Sequence, residues 1–288
     1  MPNMSVVLPL KKNTHSKNCE VERFLTMGLP SLQKWLDPSF IDDVIVVCPQ
    51  TEIDDLKNRF RAHTSKFNIR IVSEEPILGS GKAVDCDGWY KQQLIKLASH
   101  QFVRSQYYMT MDSDLVLTKP LTQADIFCPK GIRMTLDRQR QHTDWWQASC
   151  KGLQLEDHKV YPNRNEWVMQ VTPQVLITER VHGLCKHLRS LMGNLWKRKL
   201  LQQKFTEYTL YWTYCKVWGG REQYWIDPNG PKLLGNALWY ALPENESLDR
   251  HVEKAFTDNH DYWFTLVQSN IQRYALSEIQ EATSSWLK

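Results

Sequence analysis

The sequence predicts an α/β fold, with a doubly wound, mostly parallel sheet and helices on both faces. Short apolar segments rich in β-branched residues, such as Asp43–Cys48, are typical of parallel strands covered on both faces. They alternate with segments of helical apolar spacing along the first 120 residues, which is the pattern of strand–helix–strand units. With 288 residues, 42% of them hydrophobic, the chain is long enough to bury a sizeable core.

Four strands are expected in this first part of the chain, and helices separate them. The predicted strands are Ser5–Leu10, Asp43–Cys48, Asn68–Val72 and Tyr107–Met111. The predicted helices are Val21–Trp35 (interrupted near Gly28), Glu52–Arg61 and Trp89–Val103. In such sheets ligands bind at the carboxyl ends of the strands, so the residues directly after each strand are the first candidates for a site.

The pattern becomes less regular after Pro120. Strands are predicted at Gly131–Leu136 and Trp167–Val171, helices at Gln174–Leu191 and Leu195–Val217, and a terminal helix after the mixed segment Tyr262–Ser269. Residues 138–164 are polar, and residues 219–249 are expected to be mainly loop. We therefore divide the chain into an α/β half (1–120) and an irregular C-terminal half (121–288), packed as one continuous domain.

The composition excludes several classes of protein. The net charge of +4, from 36 basic and 32 acidic residues, is too small to indicate a nucleic-acid binder. The seven cysteines are odd in number and form no CxxC pair, so we predict a reducing compartment and neither a disulfide framework nor a zinc site. The sequence has no apolar run as long as a membrane span and no signal-sequence pattern, so we expect a cytoplasmic protein.

The triplet Asp112-Ser113-Asp114 lies between the predicted strand Tyr107–Met111 and a second apolar run. Burying two acids there is costly unless a cation neutralises them. Carboxylate oxygens suit Mn²⁺ or Mg²⁺, which would bridge a diphosphate. Asp85-Cys86-Asp87 has the same spacing but follows a polar loop, so we favour the first triplet. The alternative is that Asp112 or Asp114 only caps a turn.

Two other enzyme motifs match the sequence in part. Asp112 followed by Asp114 also fits the nucleophile motif of haloacid-dehalogenase-type phosphatases, in which the first Asp attacks phosphorus. That motif normally follows the first strand and needs a later acidic pair, and neither condition is met in this sequence. The segment Gly79-Ser80-Gly81-Lys82 is not a phosphate loop, because Pro76 and Ala83 break the required spacing. A non-catalytic nucleotide-sugar-binding protein is a third hypothesis.

The chain resembles GT-A-type glycosyltransferases and, more narrowly, an uncharacterised bacterial glycosyltransferase-like family. The similar stretches are Val6–Leu10, Gly88–Leu97 (Gly-Trp-Tyr-x-Gln-Gln-x-x-Lys-Leu), Met111–Asp114, Thr172–Leu176 and Phe205–Tyr211. The resemblance implies a nucleotide-sugar donor, a divalent cation (Mn²⁺ or Mg²⁺) on Asp112 and Asp114, and a separate acceptor side built by the C-terminal half. Our first hypothesis is therefore transfer to a glycan or lipid-linked acceptor of surface-polysaccharide synthesis. It also implies a further metal ligand near the C-terminus, for which His260 is the candidate.

Donor-binding residues are expected near the first and fourth strands. Pro9 and Leu10 end the first strand, and Ser113 lies within the acidic triplet. On the helix that begins near Trp89, the side chains of Trp89, Gln93 and Lys96 share one face because their spacings are four and three residues. Lys96 would meet phosphate and Gln93 a sugar or base. A solvated helix face explains the same pattern.

Catalytic and acceptor-binding residues are expected in the second half. Glu207 lies among aromatic residues, where desolvation would raise its pKa as suits a general base, although an acid at a helix start explains it too. Asp137, at the end of a predicted strand, is a second catalytic candidate. Trp145, Trp146 and Tyr211 are candidates for stacking on an acceptor sugar, and all three would serve equally as core residues.

The basic stretch from Lys197 to Lys204 alternates with Trp and Leu residues. This amphipathic pattern is compatible with peripheral contact to an anionic lipid surface at the inner face of the membrane. A solvated helix face accounts for it as well.

Overall fold

The fold is described from a computed structural model. The structure describes residues 3–12, 19–63, 66–79, 88–203, 205–240, 242, 246–268 and 274–288. The strands, in chain order, are β1 Met4–Pro9, β2 Ile41–Cys48, β3 Ile69–Ser73, β4 Tyr107–Thr110, β5 Leu115–Leu117, β6 Phe127–Cys128, β7 Gly131–Ile132, β8 Asp137–Arg138, β9 Trp167–Val168, β10 Gln174–Ile177, β11 Lys232–Leu234 and β12 Tyr262–Leu266.

The helices follow the strands in alternation through the first half and dominate the second. They are α1 Glu20–Arg23, α2 Leu29–Trp35, α3 Ile53–Phe60, α4 Glu75–Leu78, α5 Gly88–Ala98, α6 Gln123–Ile126, α7 Thr143–Gly152, α8 Asp157–Val160, α9 Thr178–Met192, α10 Trp196–Leu201, α11 Glu207–Trp218, α12 Leu248–Thr257 and α13 Leu276–Leu287. A π-helical segment, Phe24–Gly28, joins α1 to α2 without a break. None of the described helices is long and apolar enough to cross a membrane.

The main sheet has the strand order β10-β4-β1-β2-β3 within the described residues. β1 pairs in parallel with β2 and β4, β2 pairs in parallel with β3, and β10 adds an antiparallel edge to β4. All of β1 and the last six residues of β2 are buried, because apolar side chains on both faces of these strands meet helices. The predicted doubly wound, mostly parallel sheet is confirmed.

A second sheet, β11-β12-β5, begins directly after the acidic triplet. β5 leaves the turn that contains Asp114 and pairs antiparallel with β12, with Leu117 opposite Phe264 and Leu115 opposite Leu266. A small apolar cluster that includes Val116 packs this sheet against α12 and α13. The main core runs from Met4 to Leu266 and so includes side chains from both halves of the chain. The turn after β4 therefore joins the two sheets.

Several predicted elements of the second half were wrong in type or extent. The segment predicted as one helix from Gln174 begins as the buried strand β10, and α9 starts only at Thr178. The helix predicted over Leu195–Val217 is divided into α10 and α11, because Thr206 caps a new helix by accepting from the Thr209 backbone N–H. α7 forms within the polar segment that was expected to be loop.

Candidate functional site

The Asp112-Ser113-Asp114 triplet forms a turn at the carboxyl end of β4. Met111 donates its backbone N–H to the carbonyl of Val7 at 3.0 Å, which extends the β1–β4 pairing up to the triplet. The Asp112 side chain is 32% exposed. Ser113 and Asp114 are buried, at 8% exposure each. Asp112 is therefore the more exposed of the two carboxylates of the triplet.

A buried lysine pairs with this more exposed carboxylate. Lys96 Nζ, on α5, lies 2.5 Å from Oδ1 of Asp112 and 3.1 Å from Oε1 of Glu207. Burial by itself lowers the pKa of the Lys96 ammonium, but the two carboxylates more than offset this and hold that pKa well above its usual range. Lys96 is therefore protonated and links a partly exposed carboxylate to a buried one. We call Lys96, Asp112 and Glu207 the Lys96 cluster.

Glu207 lies behind Lys96, at the first position of α11. Its side chain is fully buried, and its Oε2 has no hydrogen-bond partner among the described residues. Burial raises the pKa of Glu207, and the positive charge of Lys96 opposes that rise. Glu207 is fully buried and paired with Lys96, so its carboxylate has no exposed surface at which an acceptor hydroxyl could meet it, which does not fit its expected role as a general base. Its position suits a residue that holds Lys96 in place.

Glu20, on α1, also lies beside Asp112, although the sequence analysis did not single it out. Its Oε2 accepts the Lys11 backbone N–H at 3.3 Å, and its Oε1 accepts the Gln92 side-chain amide at 3.3 Å. Burial raises the pKa of Glu20, the Lys11 hydrogen bond opposes the rise, and the negative charge of Asp112 adds to it. Glu20 is therefore a third carboxylate at this end of the sheet.

Arg23 is the second buried cation near the triplet, and it too was missed. Its side chain is 3% exposed, and its Nη1 donates to the carbonyl of Val267 at 3.5 Å. Burial lowers the pKa of Arg23, while the negative charges of Asp114 and Glu20 oppose the effect. Glu20 and Arg23 lie in the segment after the first strand, where ligand-binding groups are expected in such folds. Their position after this strand was the signal that could have revealed them.

The described charges at this edge of the sheet have a negative excess of one. Four carboxylates (Glu20, Asp112, Asp114 and Glu207) lie there with two buried cations, Arg23 and Lys96, and the exposed Lys11. The described residues contain no cluster of three or more His, Cys, Asp or Glu side chains placed to hold a metal. This donor set fits a cation held by one or two carboxylates and completed by water and substrate phosphates, which is how Mg²⁺ is commonly bound.

His260 lies away from the triplet, contrary to its predicted role as a metal ligand. It is exposed in the segment before β12, and its carbonyl accepts a hydrogen bond from Lys119 Nζ at 2.9 Å. Because β12 runs antiparallel to β5, the end of β12 near Leu266 is the end beside Asp114. His260 precedes the opposite end of β12, so the strand separates it from the acidic triplet.

The predicted donor-binding residues are distributed along two elements. Pro9 and Leu10 are buried at the end of β1, and Leu10 donates its backbone N–H to the Val47 carbonyl at 2.9 Å. Gln93 is 4% exposed, and its side-chain amide donates to the Trp89 carbonyl at 3.2 Å, within α5. Trp89 itself is 38% exposed. The Gly-rich loop at Lys82 and the triplet Asp85-Cys86-Asp87 lie outside the described residues.

Two of the three predicted acceptor residues lie in the core. Trp146 is 1% exposed, and its indole N–H donates to Oε1 of Gln170 at 2.9 Å. Tyr211 is fully buried, and its hydroxyl accepts the Ile177 backbone N–H at 3.1 Å. Neither ring presents a face to a ligand, because both are enclosed by packing. Trp145 is half-buried and stacks on a neighbouring histidine.

Asp137 and the basic stretch have local roles in the structure. Asp137, in β8, accepts the Arg138 backbone N–H at 2.7 Å, and its described contacts do not include the Lys96 cluster. In α10, Trp196 and Leu200 are buried, and Lys197 Nζ donates to the Ile77 carbonyl at 2.5 Å. The apolar face of α10 is therefore packed inward and is not available to a lipid surface. Lys204, the last residue of the basic stretch predicted to contact a membrane, lies outside the described residues.

The fold matches solved structures of glycosyltransferases at low sequence identity. The bifunctional glycosyltransferase WbbM, in its apo structure, aligns with a TM-score of 0.53 and 12% identity over 99% of this chain, which spans 50% of that chain. Mouse xyloside xylosyltransferase 1 in its apo form aligns with a TM-score of 0.48 and 10% identity, over 93% of this chain and 98% of that chain. Core-mannan synthase A from Aspergillus fumigatus, in its Mn/GDP form, aligns with a TM-score of 0.48 and 10% identity, over 78% and 72%.

At these identities the likeness shows the fold alone, which is a GT-A-like α/β fold. The chain belongs to a family of unknown function, DUF6492, whose model matches residues 1–288. No curated protein matches the sequence.

Proposed function

We propose that this protein is a glycosyltransferase that moves a sugar from a nucleotide-diphospho-sugar to a glycan or lipid-linked acceptor. The observation that carries the proposal is the partly exposed carboxylate of Asp112, held by Lys96 at the carboxyl end of the parallel sheet. That edge is where sheets of this class bind ligands. The fold shared with the bifunctional glycosyltransferase WbbM supports the same proposal. We further propose that the acceptor belongs to the synthesis of a surface polysaccharide.

The acidic triplet would hold Mn²⁺ or Mg²⁺ in this proposal. Asp112 and Asp114 are the protein ligands we assign, and when bound the cation would offset negative charge on the diphosphate of the donor. The negative excess of carboxylates at this edge supports the assignment, because a divalent cation would offset it. Main-chain atoms of Pro9, Leu10 and Ser113 would meet the donor, since their side chains are buried.

Lys96 and Glu207 are positioning residues in this proposal. Lys96 fixes the orientation of Asp112 through the 2.5 Å contact, and Glu207 holds the ammonium from behind at 3.1 Å. A carboxylate already fixed in its ligating orientation loses less conformational entropy when the cation binds. This arrangement therefore favours binding of a metal–diphosphate complex at Asp112.

Calorimetry with UDP and GDP, each with and without Mn²⁺, tests the proposal. We expect Mn²⁺-dependent binding of at least one diphosphate, and its loss in both Asp112→Asn and Asp114→Asn. The matched control is Asp54→Asn, which changes an exposed carboxylate on α3 and should leave binding unchanged. Equal binding in the control and in Asp112→Asn would overturn the role of the triplet.

The two other hypotheses give different results in simple assays. A phosphatase with Asp112 as its nucleophile would form an aluminium-fluoride adduct on that residue, and we expect none. Only the local Asp112–Asp114 motif favours the phosphatase hypothesis. The position of the motif does not, because Asp112 follows the fourth strand in chain order and not the first. A non-catalytic binding protein would bind the donor but would not hydrolyse it slowly in the presence of Mn²⁺.

A further inference from the structure

Three aromatic side chains form a partly exposed platform at the start of α5 and α7. The rings of Trp89 and Trp145 have centroids 5.7 Å apart, with an angle of 35° between their planes. The His142 ring stacks on Trp145 at 3.7 Å and 9°. Trp89 is 38% exposed, and Trp145 and His142 are half-buried. We call Trp89, Trp145 and His142 the aromatic platform.

The aromatic platform is connected to α5 and α11, the helices that carry Lys96 and Glu207. Trp89 precedes Lys96 by seven residues on α5, which is about two turns or roughly 10 Å along the helix axis. The Trp145 carbonyl accepts a hydrogen bond from Thr209 Oγ1 at 3.5 Å, and Thr209 lies on the first turn of α11, two residues after Glu207. A ligand on the platform would therefore lie within the length of a short oligosaccharide from Asp112.

Trp145 lies on the β10 side of the main sheet. Its helix, α7, contacts α11 through the buried hydrogen bond between the Ser149 and Thr209 hydroxyls at 2.7 Å. α11 in turn contacts β10, because the Tyr211 hydroxyl accepts the Ile177 backbone N–H. Trp89 reaches Trp145 from α5, which packs on β1. A nucleoside held at the end of β1 would occupy the other side of Asp112 from β10, so the Trp145 side of the platform is placed for the second substrate.

We propose that the aromatic platform is an acceptor subsite that stacks against the pyranose ring of a saccharide. The axial C–H groups of a pyranose form an apolar face, and flat indole rings offer a matching apolar surface. Burial lowers the pKa of His142, and the negative charges of Asp137 and Asp144 oppose that shift, so a neutral imidazole ring stacks beside the indoles. Because the Trp89 ring contacts the Trp145 ring, we assign Trp89 to the same saccharide subsite.

Saturation-transfer NMR with simple sugars tests this subsite. The probes are methyl β-D-glucopyranoside, methyl α-D-mannopyranoside and N-acetylglucosamine, each with the full-length protein. We expect transfer to at least one sugar, and affinity weaker by about three- to tenfold in Trp89→Leu, with partial retention in Trp89→Phe. Because Trp89 is exposed, both variants should keep the far-ultraviolet circular dichroism of the wild type.

The matched control is Trp218→Leu, at the opposite end of α11. Trp218 is 37% exposed and stacks on Tyr214 at 5.0 Å, so it is an exposed aromatic stack of the same kind that lies far from Glu207. Trp218→Leu should bind the sugars as the wild type does. The inference is overturned if no sugar shows transfer, or if Trp89→Leu and Trp218→Leu lose it equally.

The assignment of the aromatic platform as an acceptor subsite rests on the proposed function. The saccharide site and the transferase proposal can nevertheless fail separately. If sugars bind through Trp89 but no diphosphate binds with Mn²⁺, the platform stands as a saccharide site and the transferase proposal fails. If a diphosphate binds and no sugar does, the transferase proposal stands and the platform is overturned.

Discussion

Replacing Lys96 by methionine removes the only described cation in contact with the buried Glu207. Methionine has a similar length, so the main change is the loss of the ammonium beside a fully buried carboxylate. Breaking a buried ion pair in this way typically costs about 3–5 kcal/mol. Glu207 can limit that cost by taking up a proton. Starting from its ordinary pKa of 4.5, protonation at pH 7 costs about 3.4 kcal/mol, at about 1.36 kcal/mol per pH unit.

The same reasoning makes the effect depend on pH in a definite direction. At pH 5 protonation of Glu207 costs only about 0.7 kcal/mol, so the destabilisation by Lys96→Met should shrink as the pH falls from 7 to 5. With about 2.1 cal/mol/K per residue, the 288-residue chain has an unfolding entropy of about 0.6 kcal/mol/K. A loss of about 3.4 kcal/mol therefore lowers the melting temperature by roughly 6 °C at pH 7.

Thermal unfolding and urea unfolding at both pH values measure this effect. The matched control is Lys197→Met, because Lys197 Nζ donates to backbone carbonyls and faces no carboxylate in its described hydrogen bonds. Its cost should be the same at pH 5 and pH 7. The double variant Lys96→Met/Glu207→Gln should lose this pH dependence, since the fully buried carboxylate that takes up the proton is gone. A cost below about 1 kcal/mol for Lys96→Met at pH 7, or an equal cost at both pH values, would refute the reasoning.

Three further predictions concern residues outside this cluster. Trp146→Ala should lower the free energy of unfolding by about 3–5 kcal/mol in urea titration, yet leave saturation transfer to sugars unchanged, because its ring is core. Burial raises the pKa of the Cys185 and Cys215 thiols to about 12, so iodoacetamide at about pH 8.5 should modify half-buried Cys19 and spare these two in peptide mapping. Burial lowers the pKa of His251 below 6.5, so the folding stability that the neutral ring contributes above pH 6.5 should be lost as the pH falls. The urea midpoint should therefore decline less with falling pH in His251→Gln than in the wild type. Equal declines would contradict the assignment.

The first half of the fold could be predicted from sequence because its strands are buried on both faces. Such strands appear as continuous apolar runs, as in Asp43–Cys48, and their spacing implied the parallel sheet. β10 was missed because its three apolar residues, Val175–Ile177, run directly into α9, and a short apolar run does not distinguish a strand from a helix. α7 was missed because its polar residues and two tryptophans suggested a loop.

The site was predicted only where it depended on local sequence. Asp112 was found because it follows β4 directly, but its contact with Lys96 and the contact of Lys96 with Glu207 join three separate elements. Periodicity places Lys96 on a helix face and does not say what that face meets. The position of His260 late in the chain suggested a metal ligand. The antiparallel register of β5 and β12 places it before the end of β12 that is remote from Asp114. Register between distant strands was not available from the sequence.

The pairing of β5 with β12 also constrains when the site can form during synthesis. β5 begins at Leu115, directly after the acidic triplet, and it pairs with β12, which ends only at Leu266. A nascent chain therefore displays the apolar strand Leu115–Leu117 without this partner until β12 has been synthesised. Contacts of such long sequence separation form slowly, and unpaired strands are prone to aggregation. Synthesis of β12 is thus the step that completes the surroundings of Asp114.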